Sequence, residues 1–268
     1  MGQKGFSPER QVAAVEKKEY IAVFDSGVGG LSVLRHLRRI LPGENYVYYG
    51  DCANAPYGSR STEDVRALTL AAVEALFARY AVKALVVACN TATAAAIGVL
   101  RAKYPERIII GIEPALKVAA DKFPGGRVGV MATEVTLREE KFDQLMHRFD
   151  TGCTVEKIPA PGLVELIERG LADTPETEQL VERLLAPHVG KLDALVLGCT
   201  HYPFAAAAIR RVLGPEVALL DGGEGTARET CRRLQAADKL EPQGAGELIL
   251  TASGDYQRFF DVAQNLLR

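Results

Sequence analysis

Short, apolar, β-branched runs alternate with amphipathic stretches along almost the whole chain, and this alternation limits the possible folds more than any other feature of the 268-residue sequence. Parallel strands need a long crossover between neighbours, usually a helix, so the pattern predicts α/β architecture with parallel sheets. The strands fall at 21–24, 46–49, 82–88, 107–112, 128–132, 154–158, 193–198, 217–220 and 248–251. Most of these runs are too short and too apolar to leave a face in water. Between them, Leu31, Leu34, Leu37 and Leu41 share one helical face, as do Val65, Leu68, Ala72, Leu76 and Tyr80. These spacings mark core-facing stripes.

The alternation is also repeated. Ala84-Leu85-Val86-Val87-Ala88-Cys89 aligns with Ala194-Leu195-Val196-Leu197-Gly198-Cys199 at an offset of 110, and Ile21-Ala22-Val23-Phe24-Asp25-Ser26 aligns with Val128-Gly129-Val130-Met131-Ala132-Thr133 at an offset of 107. Such similar offsets predict a duplicated α/β unit and two domains related by an approximate twofold axis. The boundary is placed near Glu113-Pro114, because proline turns the residue before it away from helix. The first domain takes residues 20–113 plus 222–268 and the second 114–221. Residues 1–19 read as a charged N-terminal extension, with a helical piece from Glu9 to Lys18 after Pro8.

Composition narrows the function. Basic residues number 32 against 34 acidic, with no long block of one sign, which disfavours nucleic acid or an anionic membrane as a general partner. No apolar run approaches the roughly 18 residues of a membrane-spanning helix, and the first twenty residues lack a secretory pattern. The chain reads as cytoplasmic. Five cysteines, an odd number without CxxC spacing, are not a disulfide framework. A homodimer is the default assembly.

In open parallel sheets, ligands bind beyond the carboxyl ends of the strands. Three strands end there in polar clusters: Asp25-Ser26-Gly27-Val28-Gly29-Gly30, Cys89-Asn90-Thr91 and Cys199-Thr200-His201-Tyr202-Pro203. Each opens a helical pattern whose free amides attract anions. The glycine segment is not a dinucleotide fingerprint, since Ser32 stands where a third glycine belongs, and no Walker lysine is present. Cys52, Cys153 and Cys231 read as packing. Cys89 and Cys199 differ: both follow a duplicated strand, both precede a helix start that favours thiolate, and symmetric halves would set them face to face. Two equivalent thiols suit a reaction with mirror-related steps, one taking an α-proton and the other delivering one to the opposite face. Asp25 and His201 stand ready to assist. Zinc on Cys199 and His201 lacks enough ligands. Tyr57 and Gly58, in the turn-rich loop from Gly50 to Gly58, either reverse the chain or hold a carboxylate.

Together these segments resemble the glutamate racemase family, cofactor-independent enzymes that supply D-glutamate for peptidoglycan. The resemblance runs from about Ile21 to Leu267. It is carried by Phe24-Asp25-Ser26-Gly27-Val28-Gly29-Gly30-Leu31, by Gly50-Asp51 with Pro56-Tyr57-Gly58, by Ala88-Cys89-Asn90-Thr91-Ala92 and by Leu197-Gly198-Cys199-Thr200-His201-Tyr202-Pro203. It implies two flavodoxin-like domains with the active site between them, and Cys89 and Cys199 as paired acid/base thiols assisted by Asp25, His201 and Glu168. Substrate contacts are implied for Asp25, Ser26, Tyr57, Gly58, Asn90, Thr91, Thr200 and His201. The implied substrate is glutamate, with no cofactor and no metal. Aspartate racemases usually carry glutamate two residues after the second cysteine, so His201 points to glutamate. One departure is Leu220-Asp221-Gly222-Gly223, where the family often has serine after the aspartate. The remaining readings are an aspartate or hydantoin racemase, a thiol-dependent hydrolase or transferase, and a non-catalytic amino-acid-binding protein closing around a small ligand.

Overall fold

The computed structural model describes residues 18–112, 115–138, 153–241 and 245–267. In chain order the strands are β1 (Tyr20–Asp25), β2 (Tyr46–Gly50), β3 (Val82–Val87), β4 (Ile108–Gly111), β5 (Arg127–Ala132), β6 (Thr154–Pro159), β7 (Ala194–Leu197), β8 (Ala218–Asp221) and β9 (Leu248–Ala252). All nine anticipated strands are found, with ends that differ by no more than one residue. They form two sheets, ordered β4-β3-β1-β2-β9 and β6-β5-β7-β8, and every ladder is parallel.

The sequence repeat reappears as topology. The first sheet contains β2-β1-β3-β4 and the second is β6-β5-β7-β8, so the aligned segments occupy equivalent places. Both match the first four strands of the flavodoxin-like order 2-1-3-4-5. The fifth strand of the first sheet departs from that order. β9 returns after the second sheet and pairs with β2, Tyr46 opposite Leu248, rather than with β4. In each sheet the strand order reverses between the first and third strands, β1 and β3 or β5 and β7. That is where such sheets open a ligand crevice.

Among the described residues the α-helices are α1 (Leu31–Ile40), α2 (Thr62–Arg79), α3 (Asn90–Lys103), α4 (Leu116–Lys122), α5 (Glu134–Arg138), α6 (Leu163–Glu168), α7 (Pro175–Leu185), α8 (Ala206–Leu213), α9 (Gly223–Ala236) and α10 (Tyr256–Leu266). Leu31, Leu34, Leu37 and Leu41 are all buried, as their spacing requires. Their cluster does not stop at one sheet: it continues through Tyr48 and Met131 to Leu163, Ile167, Leu195 and Tyr202. Two smaller clusters cover the other faces of the first and second sheets. The halves therefore share a core, and the ends of β1, β3, β5 and β7 are brought toward one another. The edge strands are wetter than expected. β6 is largely accessible, and β8 and β9 are only half-buried, because an edge strand has no neighbour on one side.

A buried ion pair fastens the returning segment. Lys83 Nζ lies 2.7 Å from Glu44 Oε2 with both side chains almost wholly enclosed. Lys83 also donates to the Lys239 carbonyl at 2.8 Å, and Glu44 Oε1 accepts from the Glu241 amide at 2.9 Å. The anticipated boundary at Glu113-Pro114 lies outside the described residues, as does the helical piece before Lys18.

Candidate active site

β1 delivers Asp25 to the crevice fully buried. Its Oδ1 accepts the Gly27 amide at 2.9 Å, and its Oδ2 accepts the Thr200 hydroxyl at 3.0 Å, which links the two halves. Burial pushes the Asp25 carboxyl up, and the nearby His201 charge and the Gly27 amide do not fully offset it.

β3 continues through Ala88 to Cys89, the N-cap of α3, whose Sγ accepts the Ala92 amide at 3.4 Å and lies 3.6 Å from Ser26 Oγ. A helix start favours thiolate. Here burial outweighs it: the Cys89 thiol is pushed up to about 12 by burial first and by the Asp25 charge second. Cys199 is near enough for its charge to act on Cys89.

Cys199 sits in different surroundings. No α-helix begins directly after it. A single 3-10 turn over Tyr202–Ala205, containing Pro203, comes first, and α8 starts only at Ala206. Its polar partner is a side chain, His201 Nδ1 at 3.6 Å, and His201 Nε2 meets Glu168 Oε1 at 2.6 Å. Glu168 closes α6 and also accepts the Val28 amide of the glycine loop at 2.9 Å. Burial alone would push His201 down, but its bonds to Cys199 and Glu168 and their charges hold it well above the ordinary histidine range. Burial likewise opposes ionised Glu168, yet His201 and the Val28 amide hold its carboxyl below the usual range.

The glycines of the loop are there for close approach rather than for nucleotide. A Cβ at Gly27 would overlap the Glu168 carboxylate, and one at Gly29 would overlap His201 and Thr200. Tyr57 is buried, and its hydroxyl donates to Asp51 Oδ2 at 2.6 Å, so the loop reversal and the site share one network. Gly58 lies against Thr133, where a Cβ would come 2.8 Å from the threonine Cβ. Across the crevice, Thr91 Oγ1 is 3.4 Å from Thr133 Oγ1 and 3.3 Å from Thr136 Oγ1. Asn90 is buried with its Oδ1 unpartnered among the described residues. A cavity of about 300 Å³ opens beside Gly58 and Thr133, between Pro56 and Glu165.

Close contacts join Asp25 to Thr200, Ser26 to Cys89, and His201 to both Cys199 and Glu168, while Thr91 and Gly58 both approach Thr133; of the anticipated residues, Gly58 lines the cavity. Sequence reasoning missed Ser32, Tyr48, Thr133 and Thr136. Thr133 carried a signal, since the repeat aligns it with Ser26. Cys52, Cys153 and Cys231 are partly buried, and burial pushes the Cys52 thiol up, away from reactivity. Among the described residues no cluster of His, Cys, Asp or Glu is arranged to hold a metal ion, and no helix is long and apolar enough to cross a membrane.

Residues 21–230 match the family model described as Asp/Glu/Hydantoin racemase. A glutamate racemase of Clostridium botulinum is 42% identical over 254 residues, covering 94% of this chain and 98% of the relative. A glutamate racemase isoform from Bacillus anthracis superposes with a TM-score of 0.85 at 35% identity, covering 94% of each chain. The Escherichia coli glutamate racemase in complex with L-glutamate and the activator UDP-MurNAc-ala gives 0.83 at 32% identity, covering 93% of this chain and 95% of that one. With a shared fold and a family match across most of its length, the chain belongs to the Asp/Glu/hydantoin racemase family and is an amino-acid racemase.

Proposed function

We propose that this protein interconverts L- and D-glutamate by a two-thiol acid/base mechanism, without pyridoxal phosphate, metal or nucleotide, and so supplies D-glutamate for peptidoglycan. The observation that carries the mechanism is the placement of Cys89 and Cys199 after equivalent strands, β3 and β7, of the two halves. The substrate follows from the relatives, which are named glutamate racemases, one of them holding L-glutamate. The division into residues 20–113 with 222–268 and residues 114–221 is part of the same reading, supported by the return of β9 to the first sheet.

In one direction a thiolate of the pair takes the α-proton, and the bond electrons remain on the α-carbon. The opposite thiol then gives its proton to the other face. One C–H bond breaks and one forms, and the two sulfurs exchange protonation states. Asp25 serves the Cys89 side, while the His201–Glu168 pair holds a proton beside Cys199. The buried Oδ1 of Asn90 is an acceptor suited to the substrate ammonium. The Thr91 hydroxyl and the Gly58 segment are suited to a carboxylate, whereas the Tyr57 hydroxyl is occupied by Asp51.

Purified protein given either enantiomer of glutamate and no cofactor is expected to show circular-dichroism decay to the racemic baseline. Cys89→Ser and Cys199→Ser should each abolish racemisation while retaining exchange of the α-proton of one enantiomer, a different one for each variant. Undiminished racemisation by Cys89→Ser would falsify the mechanism. Conversion of aspartate in place of glutamate would overturn the substrate alone.

A further inference from the structure

We propose that Ser32 is a positioning residue that sets the place of Cys199 relative to Cys89 by tying the Cys199-Thr200-His201 turn to the opposite half of the molecule. The inference rests on the two-thiol reading above and deepens it. The need for such a tie comes from Pro203. In a 3-10 turn the carbonyl of residue i is satisfied by the amide of residue i+3, and the residue three after Thr200 is Pro203, which has no N–H. The neighbouring carbonyls find amides, Cys199 from Tyr202 at 3.1 Å and His201 from Phe204 at 3.0 Å. Thr200 itself is 3% exposed, so water is a poor substitute donor.

Ser32 supplies the donor. It stands in the first turn of α1, buried, and its Oγ lies 2.8 Å from the Thr200 carbonyl across 168 residues of sequence. The same hydroxyl is 2.9 Å from the Gly29 carbonyl, but that oxygen already accepts the Ser32 amide at 3.0 Å. Gly29 thus has a donor of its own, whereas the Thr200 carbonyl has no backbone donor among the described residues, so it is at Thr200 that the single hydroxyl proton is needed. The Thr200 side chain makes the second stitch, donating to Asp25 Oδ2 at 3.0 Å. Backbone and side chain of one residue, placed between Cys199 and His201, are thus both held by the half that carries Cys89. A racemase needs its two sulfurs at a fixed separation across one carbon. Misplacement of a reacting group by about 1 Å costs on the order of 100-fold in rate.

The test uses the full-length enzyme, with rates taken well below each variant's unfolding midpoint. Ser32→Ala is expected to lower kcat about 10-fold or more in both directions, with KM for glutamate within about twofold and a larger primary deuterium isotope effect. Pro203→Ala restores an amide that can satisfy the Thr200 carbonyl from within its own turn. If Ser32→Ala still costs a similar factor in kcat in the Pro203→Ala background, the tie between halves is what matters. If it costs nothing there, Ser32 only satisfies a carbonyl, and the proposal is overturned. Unchanged kcat and isotope effect in Ser32→Ala alone would overturn it equally. A wild-type enzyme that racemises neither enantiomer would instead count against the functional reading on which the proposal stands.

Discussion

At the scale of single residues, burial and pairing act in opposite directions on the acids of the site. Glu168 is held below the usual carboxylate range, so its ionised form supports the fold above about pH 4.3, and this support is lost as the pH falls through its lowered value. His201 is held above the histidine range. Its support is complete below about pH 6.5 and is lost as the pH rises through the raised value. Their pairing therefore helps folding most between these two limits. Glu168→Gln should show its largest loss of Tm there, measured by thermal melts from pH 3 to 9, with the deficit shrinking toward pH 3. The same change takes the carboxylate away from the imidazolium, so the limb of the pH–rate profile that belongs to His201 should move to lower pH, with kcat down about 100-fold. Asp25 behaves oppositely, because burial raises its pKa and its charge costs the fold as the pH rises above about 3.9. Asp25→Asn is expected to raise Tm at pH 7 while lowering kcat, with the stability gain vanishing below about pH 4. An activity loss accompanied by a lower Tm at pH 7 would contradict this.

At the scale of elements, the buried Lys83–Glu44 pair pins the segment that leads from α9 to β9. Removing one partner leaves a buried charge without compensation, so Lys83→Met should cost about 3–5 kcal/mol in urea unfolding, and Glu44→Leu in the same chain should recover much of it. The strands themselves were legible in the sequence, because a buried parallel strand announces itself as a local apolar run and the duplication shows as matched offsets. The polar ends of β1, β3 and β7 were legible for the same reason. What could not be read is how those ends meet. The bonds from Val28 to Glu168 and from Ser32 to Thr200 cross 140 and 168 residues, and no local pattern marks which distant oxygen a backbone amide or a serine will find. The ionisation of Cys89 is hidden on similar grounds. A helix start is visible in sequence, whereas the degree of burial that overrides it is a tertiary property.

At the scale of the whole molecule, the last described helix supports the first loop. Phe259 of α10 stacks on Tyr48, centroids 6.0 Å apart, and the Tyr48 hydroxyl donates to the Gly27 carbonyl at 2.7 Å, directly beside the Glu168 carboxylate. Phe259→Ala should therefore cost about 3–5 kcal/mol of stability and also lower kcat, by loosening the loop that receives Glu168. Unfolding curves and rates on the same preparation would check both, and a stability loss with kcat unchanged would break the link. The duplicated scaffold presents its two thiols in unlike surroundings, Cys89 beside Ser26 and Cys199 beside His201. Mirror-image amino acids have the same free energy in water, so the ratio of kcat/KM for the two directions is fixed at unity by the equilibrium. The unlikeness of the two thiols cannot favour either product. It can appear only as a faster turnover of one enantiomer matched by a proportionally weaker hold on it.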